Sequence, residues 1–167
     1  MIHMKNILTL ITFILFSFGL FAQTSLDFLL FKKINDYRNS NGLDSWIWDQ
    51  NVWKASKGHN EYLMELGDCT HFQVGSDSTY SGGDRLLLEN VLWGLTKENC
   101  AVTDRYNYET DEEQSEKILQ QWINSPGHHR TLLCPNTKYG AVSTTHTAKF
   151  QWSIGAWWTY STLNVYS

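Results

Sequence analysis

The sequence predicts an α+β domain with helices packed on an antiparallel sheet. Early in the chain, apolar residues recur at helical spacing. Near its end they alternate strictly, so the order is helices first, then strands. Size is the third observation: 167 residues match one domain and can bury a core without metals or many disulfides. The 8 Trp, 8 Tyr and 8 Phe are too many to leave in water, so that core should be aromatic.

Residues 1–22 read as a signal peptide rather than as part of the fold. Lys5 precedes an apolar run from Ile7 to Phe21, and Ala22 is a small residue suited to cleavage. The run is shorter than the roughly 20 apolar residues of a single-pass anchor, so no stable membrane anchor is expected. Residues 23–167 then form a single domain, secreted to the periplasm or the extracellular space. The net charge of −4 excludes a nucleic-acid binder, because Lys and Arg are not in excess to replace phosphate counterions. It also disfavours adsorption to anionic lipid.

Leu26, Leu29, Leu30, Ile34 and Tyr37 lie at helical spacing, with Thr24 or Ser25 as cap and Gly42 as stop. A connector over 43–48 carries Trp46 and Trp48 on one side and Ile47 on the other. Asp49 caps a second helix with an apolar stripe of Val52, Ala55, His59, Leu63 and Leu66, ended by Gly67. Residues 68–84 are turn-rich, and 85–93 read as a short helix. Thr110 and Glu113 have capping-box spacing and open a helix with Ile118, Leu119, Trp122 and Ile123 inward. Ser125-Pro126-Gly127 ends it, and Ser125 can cap a new helix with Pro126 at its first position. Phe150, Trp152, Ile154, Ala156, Trp158 and Tyr160 alternate as one buried face of a strand. Residues 138–144 supply its partner, with a turn at 145–148. Trp46 or Trp157 could mark an exposed binding surface, but a core role is equally open.

Export would place Cys69, Cys100 and Cys134 in an oxidising compartment, where one bridge and one free thiol are expected. The sequence does not choose the pair. Among the histidines, His59 on an apolar stripe reads as structural, and His146 in a turn reads as solvated. His71, His128 and His129 remain, and the adjacent pair must point in different directions on a helix. Glu89 stands among Leu86, Leu87, Leu88, Val91 and Leu92, where a carboxylate needs a partner or neutralises.

Several segments resemble the CAP superfamily, which groups cysteine-rich secretory, antigen 5 and pathogenesis-related 1 proteins. They are Asn35-Asp36-Tyr37-Arg38, Gly42-Leu43 and Trp48-Asp49, then Ala55 with His59 and Met64, then Leu88-Glu89-Asn90-Val91. Trp122-Ile123-Asn124-Ser125-Pro126-Gly127-His128 is similar to the bacterial branch's Trp-x-x-Ser-Pro-Gly-His motif, and Pro135 through Val142 to the strand that follows. The resemblance implies an α-β-α sandwich with a central cavity where two His and two Glu can hold a divalent metal, often zinc. By position these fall on His71, Glu89 and His128, with Asn90, Trp122 and Ser125 as motif support. The second Glu would fall near Ser125, where the chain departs from the pattern; Leu88 and His129 are further departures. Glu116 or Gln121 could stand in.

Two imidazoles and one carboxylate suit zinc with a fourth position for water. The base that hydrolysis needs has no obvious candidate. The expectation is therefore a binding module for a small hydrophobic ligand or peptide, with a weakly held divalent metal. A metal-dependent hydrolase is the alternative, and a structural envelope protein with a buried His/Glu network is the third reading.

Overall fold

Thr24 starts helix α1 (Ser25–Ser40) through a reciprocal cap. Its hydroxyl accepts from Asp27 N at 3.1 Å, and Asp27 Oδ2 accepts from Thr24 N at 3.1 Å. The computed structural model describes residues 23–75, 77–147 and 155–167. The signal-peptide reading of 1–22 and the Phe150, Trp152 and Ile154 part of the expected strand lie outside those residues.

Asp27 does more than cap. Its buried carboxylate also accepts from Trp53 Nε1 at 2.9 Å, Thr144 N at 2.7 Å and Thr144 Oγ1 at 2.6 Å. One side chain thereby ties the first helix to the second and to the sheet.

Helix α2 (Gln50–Leu66) opens on Asp49, which accepts from Asn51 N at 2.8 Å, and stops at Gly67 with φ +73°. The short helix α3 covers Gly82–Leu88 rather than 85–93, because Ser81 and Asp84 form a capping box ahead of it. It ends earlier because Glu89 leaves helical geometry and Asn90 turns left-handed at φ +60°. Helix α4 (Asp111–Ile123) has the expected Thr110–Glu113 box. Helix α5 (Pro126–Leu132) has Ser125 at its N-cap, but that side chain makes no capping bond.

The four strands are β1 (Ile47–Trp48), β2 (Thr96–Arg105), β3 (Tyr139–His146) and β4 (Trp157–Tyr166), in the order β1-β3-β4-β2. β4 is antiparallel to both its neighbours; the two-residue β1 runs parallel to β3, which makes the sheet mixed. Three sequence expectations change here. β2 has no counterpart among them, yet it pairs along its whole length with β4, from Thr96↔Tyr166 to Arg105↔Trp157. β3 continues through His146, opposite Thr159, in place of the expected turn. β4 runs past Tyr160 and is buried from Thr159 to Val165 on both faces rather than one, because helices cover each side of it.

On one face, α1, α4 and α5 pack Leu30, Ile34, Ile118, Trp122 and Leu132 against Ala101, Val142, Leu163 and Val165. On the other, α2 and α3 bring Val52, Trp53, Leu86 and Leu63 against Ala141, Cys100 and Tyr160. The result is an α-β-α sandwich. Trp46 is in the core, with the Arg38 guanidinium 4.0 Å over its ring, and Trp157 is half-buried. Arg38 donates to the Leu132 and Cys134 carbonyls and so fixes the end of α5.

The α2 face also holds a polar seam. Asn60 Nδ2 donates to Ser143 O at 2.6 Å, Thr162 Oγ1 donates to Asn60 Oδ1 at 2.6 Å, and Asn164 Nδ2 donates to Ser56 Oγ at 3.1 Å. These bonds set the height of α2 over the sheet and carry His59 inward.

Candidate functional site

Four segments converge at the β2 edge of the α2 face. The loop after α2 supplies Cys69 and His71, β2 supplies Glu98 and Cys100, α2 supplies His59, and α3 supplies Arg85. The centre is Glu98. Arg85 Nη2 lies 2.5 Å from its Oε2, and its Oε1 faces His71 Nδ1 at 3.1 Å, the Cys100 thiol at 3.4 Å and His59 Nε2 at 3.7 Å. The loop is held in place from below. His59 Nε2 donates to Thr70 O at 2.8 Å, and Arg85 Nη2 donates to His71 O at 3.3 Å.

The charges follow from these contacts. Burial opposes the Glu98 charge, but the hydrogen bond from His71 and the positive field of Arg85 outweigh it, and the carboxyl sits at about 2. His71 is raised above the usual imidazole value by its bond to Glu98. His59, with no exposure, is lowered by burial. Its Nε2–H is committed to Thr70, and its Nδ1 has no partner among the described residues.

His128 stands at the start of α5, and its ring centroid is 6.5 Å from that of His71 in an edge arrangement. Asn99, next to Glu98, donates to His128 O at 3.0 Å and binds this helix to β2. His129 turns the other way, to the Tyr37 hydroxyl at 2.8 Å, as two adjacent rings on a helix must. His128 is lowered by burial and then by His71, and its Nδ1 is buried without a partner among the described residues.

The structure thus brings His71 and His128 together, but the carboxylate beside His71 is Glu98. Glu89 lies at the C-cap of α3, on the wall of a pocket of about 160 Å³ that is also lined by Lys54, Gln73 and Arg85. Asn90 forms the left-handed turn behind it, Trp122 is fully buried in the α1–α4 core, and Ser125 is at the N-cap of α5. Glu116 is held by Lys33 at 2.9 Å, so it does not stand in for a second glutamate. The chain contains two Glu-Asn pairs, 89–90 and 98–99. The second places its glutamate beside His71, and simple alternation is the signal for it: Glu98, Cys100 and Val102 share one side of a strand. His146, expected to be solvated, ends β3 with Nδ1 2.8 Å from Thr159 Oγ1 and Nε2 3.0 Å from Arg105.

Can these residues hold a metal? His59, Glu98 and Cys100 each offer a ligand atom within 4.8 Å of the others. His59 is the weakest of these, because its nearer nitrogen already serves Thr70. His71, His128 and Glu98 are donors zinc accepts, and the unpartnered nitrogen of His128 is what an added ligand would satisfy. At about 2 Å per zinc–nitrogen bond, two rings on one ion stand closer than these do, so binding must draw them together. Arg85 opposes it by neutralising Glu98. The donor types suit a divalent cation, while the separation of the two rings and the Arg85 charge weigh against tight binding.

The family profile of CAP, the cysteine-rich secretory protein family, matches residues 31–160. The chain belongs to the CAP family. Solved CAP-like structures share its fold. An extracellular SCP-domain protein of Bacillus anthracis superposes with a TM-score of 0.64 at 22% identity, over 86% of this chain and 41% of that one. An outer surface protein of Borrelia burgdorferi gives 0.62 at 18%, over 87% and 97%. A Staphylococcus aureus cysteine-rich secretory protein gives 0.55 at 14%, over 84% and 38%. This CAP chain therefore spans less than half of the Bacillus protein. Comparison with curated proteins gives no match. Among the described residues, no helix is long and apolar enough to cross a membrane.

Proposed function

We propose that this CAP protein is an exported binding module whose His71–Glu98–His128 cluster holds a divalent cation, zinc by donor type, with low affinity. The observation that carries the reading is the meeting of His71 and His128, from two distant segments, beside a carboxylate kept ionised. His71 and His128 would coordinate through neutral imidazole, and Glu98 would orient His71 through Nδ1–H. A bound cation would supply Lewis acidity, but Glu98 at about 2 is a poor base near neutral pH, so binding is favoured over hydrolysis. Export is supported by the charged-then-apolar pattern of 1–22, and by solved relatives described as extracellular or outer-surface. The apolar side chains exposed beside the cluster, Phe72, Val74 and Tyr80, suit a small hydrophobic ligand or a peptide.

Calorimetric titration of zinc into the protein and its His71→Ala and His128→Ala variants tests this reading. Weak binding at about pH 7.5 is expected, lost in both variants and reduced at about pH 6, where the imidazoles take up protons. Absence of binding by the unmutated protein would leave the cluster as a structural network. The buried Arg85–Glu98 pair at 2.5 Å specifically favours that second reading. N-terminal sequencing of the exported protein checks the signal, with Gln23 expected as the first residue; retention of Met1 or Met4 would refute it.

A further inference from the structure

Three cysteines allow three pairings, and the fold distinguishes them. Cys69 is exposed on the loop after α2; Cys100 is buried on β2 and points to the α2 face. Cys100 Sγ lies 3.7 Å from His71 Nδ1, two residues along the loop from Cys69, and each of the two thiols perturbs the other's proton affinity. Cys134 is buried separately at the end of α5, where Arg38 holds its carbonyl. The loop that carries Cys69 is not loose. Thr70 O is held by His59 and His71 O by Arg85, so the residues following Cys69 are fastened to buried groups on α2 and α3. Cys100 is equally fixed, within 3.4 Å of Glu98 Oε1, 3.7 Å of His71 Nδ1 and 3.9 Å of Thr162 Oγ1.

We propose that Cys69 and Cys100 form a thiol–disulfide exchange site that closes to a bridge over the β2 edge, leaving Cys134 as the free thiol. The oxidant is a disulfide, RSSR, small or borne by a protein. Cys69 is the sulfur that solvent reaches, so it attacks first. The S–S bond of the oxidant breaks, one RSH leaves with the Cys69 proton, and a mixed disulfide remains. Cys100 then attacks Cys69 Sγ from the buried side, and the second RSH leaves with the Cys100 proton. Two thiols have lost two electrons and two protons, and one disulfide has become two thiols. The bridge would fasten His71 to β2 independently of whether the cluster takes a cation.

The test is made on full-length protein, first reduced, then incubated with glutathione disulfide. Differential alkylation and peptide mapping should give one linked pair, Cys69 with Cys100, a mass lower by two hydrogen atoms, and one remaining thiol at Cys134. Closing the bridge should raise the thermal midpoint by about 5–10 °C, and Cys69→Ser should abolish that rise. A linked peptide containing Cys134, three thiols persisting after oxidation, or a glutathione adduct on Cys69 that never resolves would each overturn the assignment. The map needs no metal, so failure of zinc binding does not affect it.

Discussion

Replacing Glu98 by glutamine keeps the side-chain shape and removes its charge, so it imitates the protonated carboxyl. In the fold, that carboxyl titrates at about 2 against an ordinary value of 4.5. At about 1.4 kcal/mol per pH unit, the difference corresponds to about 3 kcal/mol of stability. The lowered value means the ionised form is favoured by folding. The contribution is complete above pH 4.5 and disappears as pH falls toward 2. The burial of the partner points the same way. Arg85 is 3% exposed, and stripping a buried ion of its partner typically costs about 3–5 kcal/mol.

Urea unfolding of the Glu98→Gln variant and the parent at about pH 7, 4 and 2 measures this directly. A gap of about 3 kcal/mol is expected near pH 7, shrinking below about pH 4.5, because the parent then also becomes neutral at this position. Other carboxylates titrate in both proteins and cancel in the difference. Adding Arg85→Met should recover part of the loss, since no unpaired guanidinium remains. A gap under about 1 kcal/mol near pH 7, or one that is constant down to about pH 2, would refute the assignment of Arg85 and His71 as the groups that hold this carboxylate.

Three further outcomes follow from single side chains. Asp27→Ala leaves the buried Thr144 N–H and Trp53 Nε1–H without an acceptor, so a loss of about 4 kcal/mol is expected in urea unfolding; a loss below about 1.5 kcal/mol would show that water replaces the carboxylate. A Cβ on Gly140 would lie 2.8 Å from Val165 Cγ1 and 2.9 Å from Asn164 O, so Gly140→Ala should cost about 2 kcal/mol, and a neutral result would mean β3 and β4 separate easily. His71 is raised by Glu98 and His128 lowered by burial, each from an ordinary 6.5. The His71 contribution is therefore present below that ordinary value and lost as pH rises through its folded value. The His128 contribution is present above it and lost as pH falls through the lowered value. NMR titration of the ring protons should find the two imidazoles on opposite sides of the free-imidazole value, with His71 falling back in Glu98→Gln.

Local signals in the sequence map well onto the fold. Asp49, Gly67 and the Thr110–Glu113 box bound their helices as expected, because caps act through neighbouring residues alone. β2 is hidden from such reading because Thr96, Lys97, Glu98, Asn99, Asp104 and Arg105 look like an exposed segment. Its polar residues are instead matched across the fold: Asn99 meets the His128 carbonyl, and Thr103 accepts from Gln114 at 2.8 Å. Hydrophobic alternation does not register a strand whose buried positions are satisfied by distant partners. The same blindness draws attention to Glu89. Its leucine neighbours suggest a buried carboxylate, but Leu87, Leu88 and Leu92 are exposed, while Glu98 among polar residues is the one enclosed. His59 is buried as its helical stripe implies, yet its role in fastening the loop at Thr70 depends on a contact no local pattern encodes.

What this cluster can do depends most on Arg85. Its guanidinium sits on Glu98 and supplies a fixed positive charge where a second carboxylate would have strengthened a cation site. It also props the loop at His71 O and, through its Nη1, at the Thr79 and Tyr80 carbonyls. An arginine does not lose its proton near neutral pH, so the ionised Glu98 has a constant partner and has little tendency to accept a proton from substrate. The cluster is therefore built to stay put rather than to cycle. The imidazoles are its adjustable part: His71 is half exposed and His128 has a nitrogen with no partner among the described residues, while the Glu98–Arg85 pair keeps the loop, α3 and β2 in register beneath them.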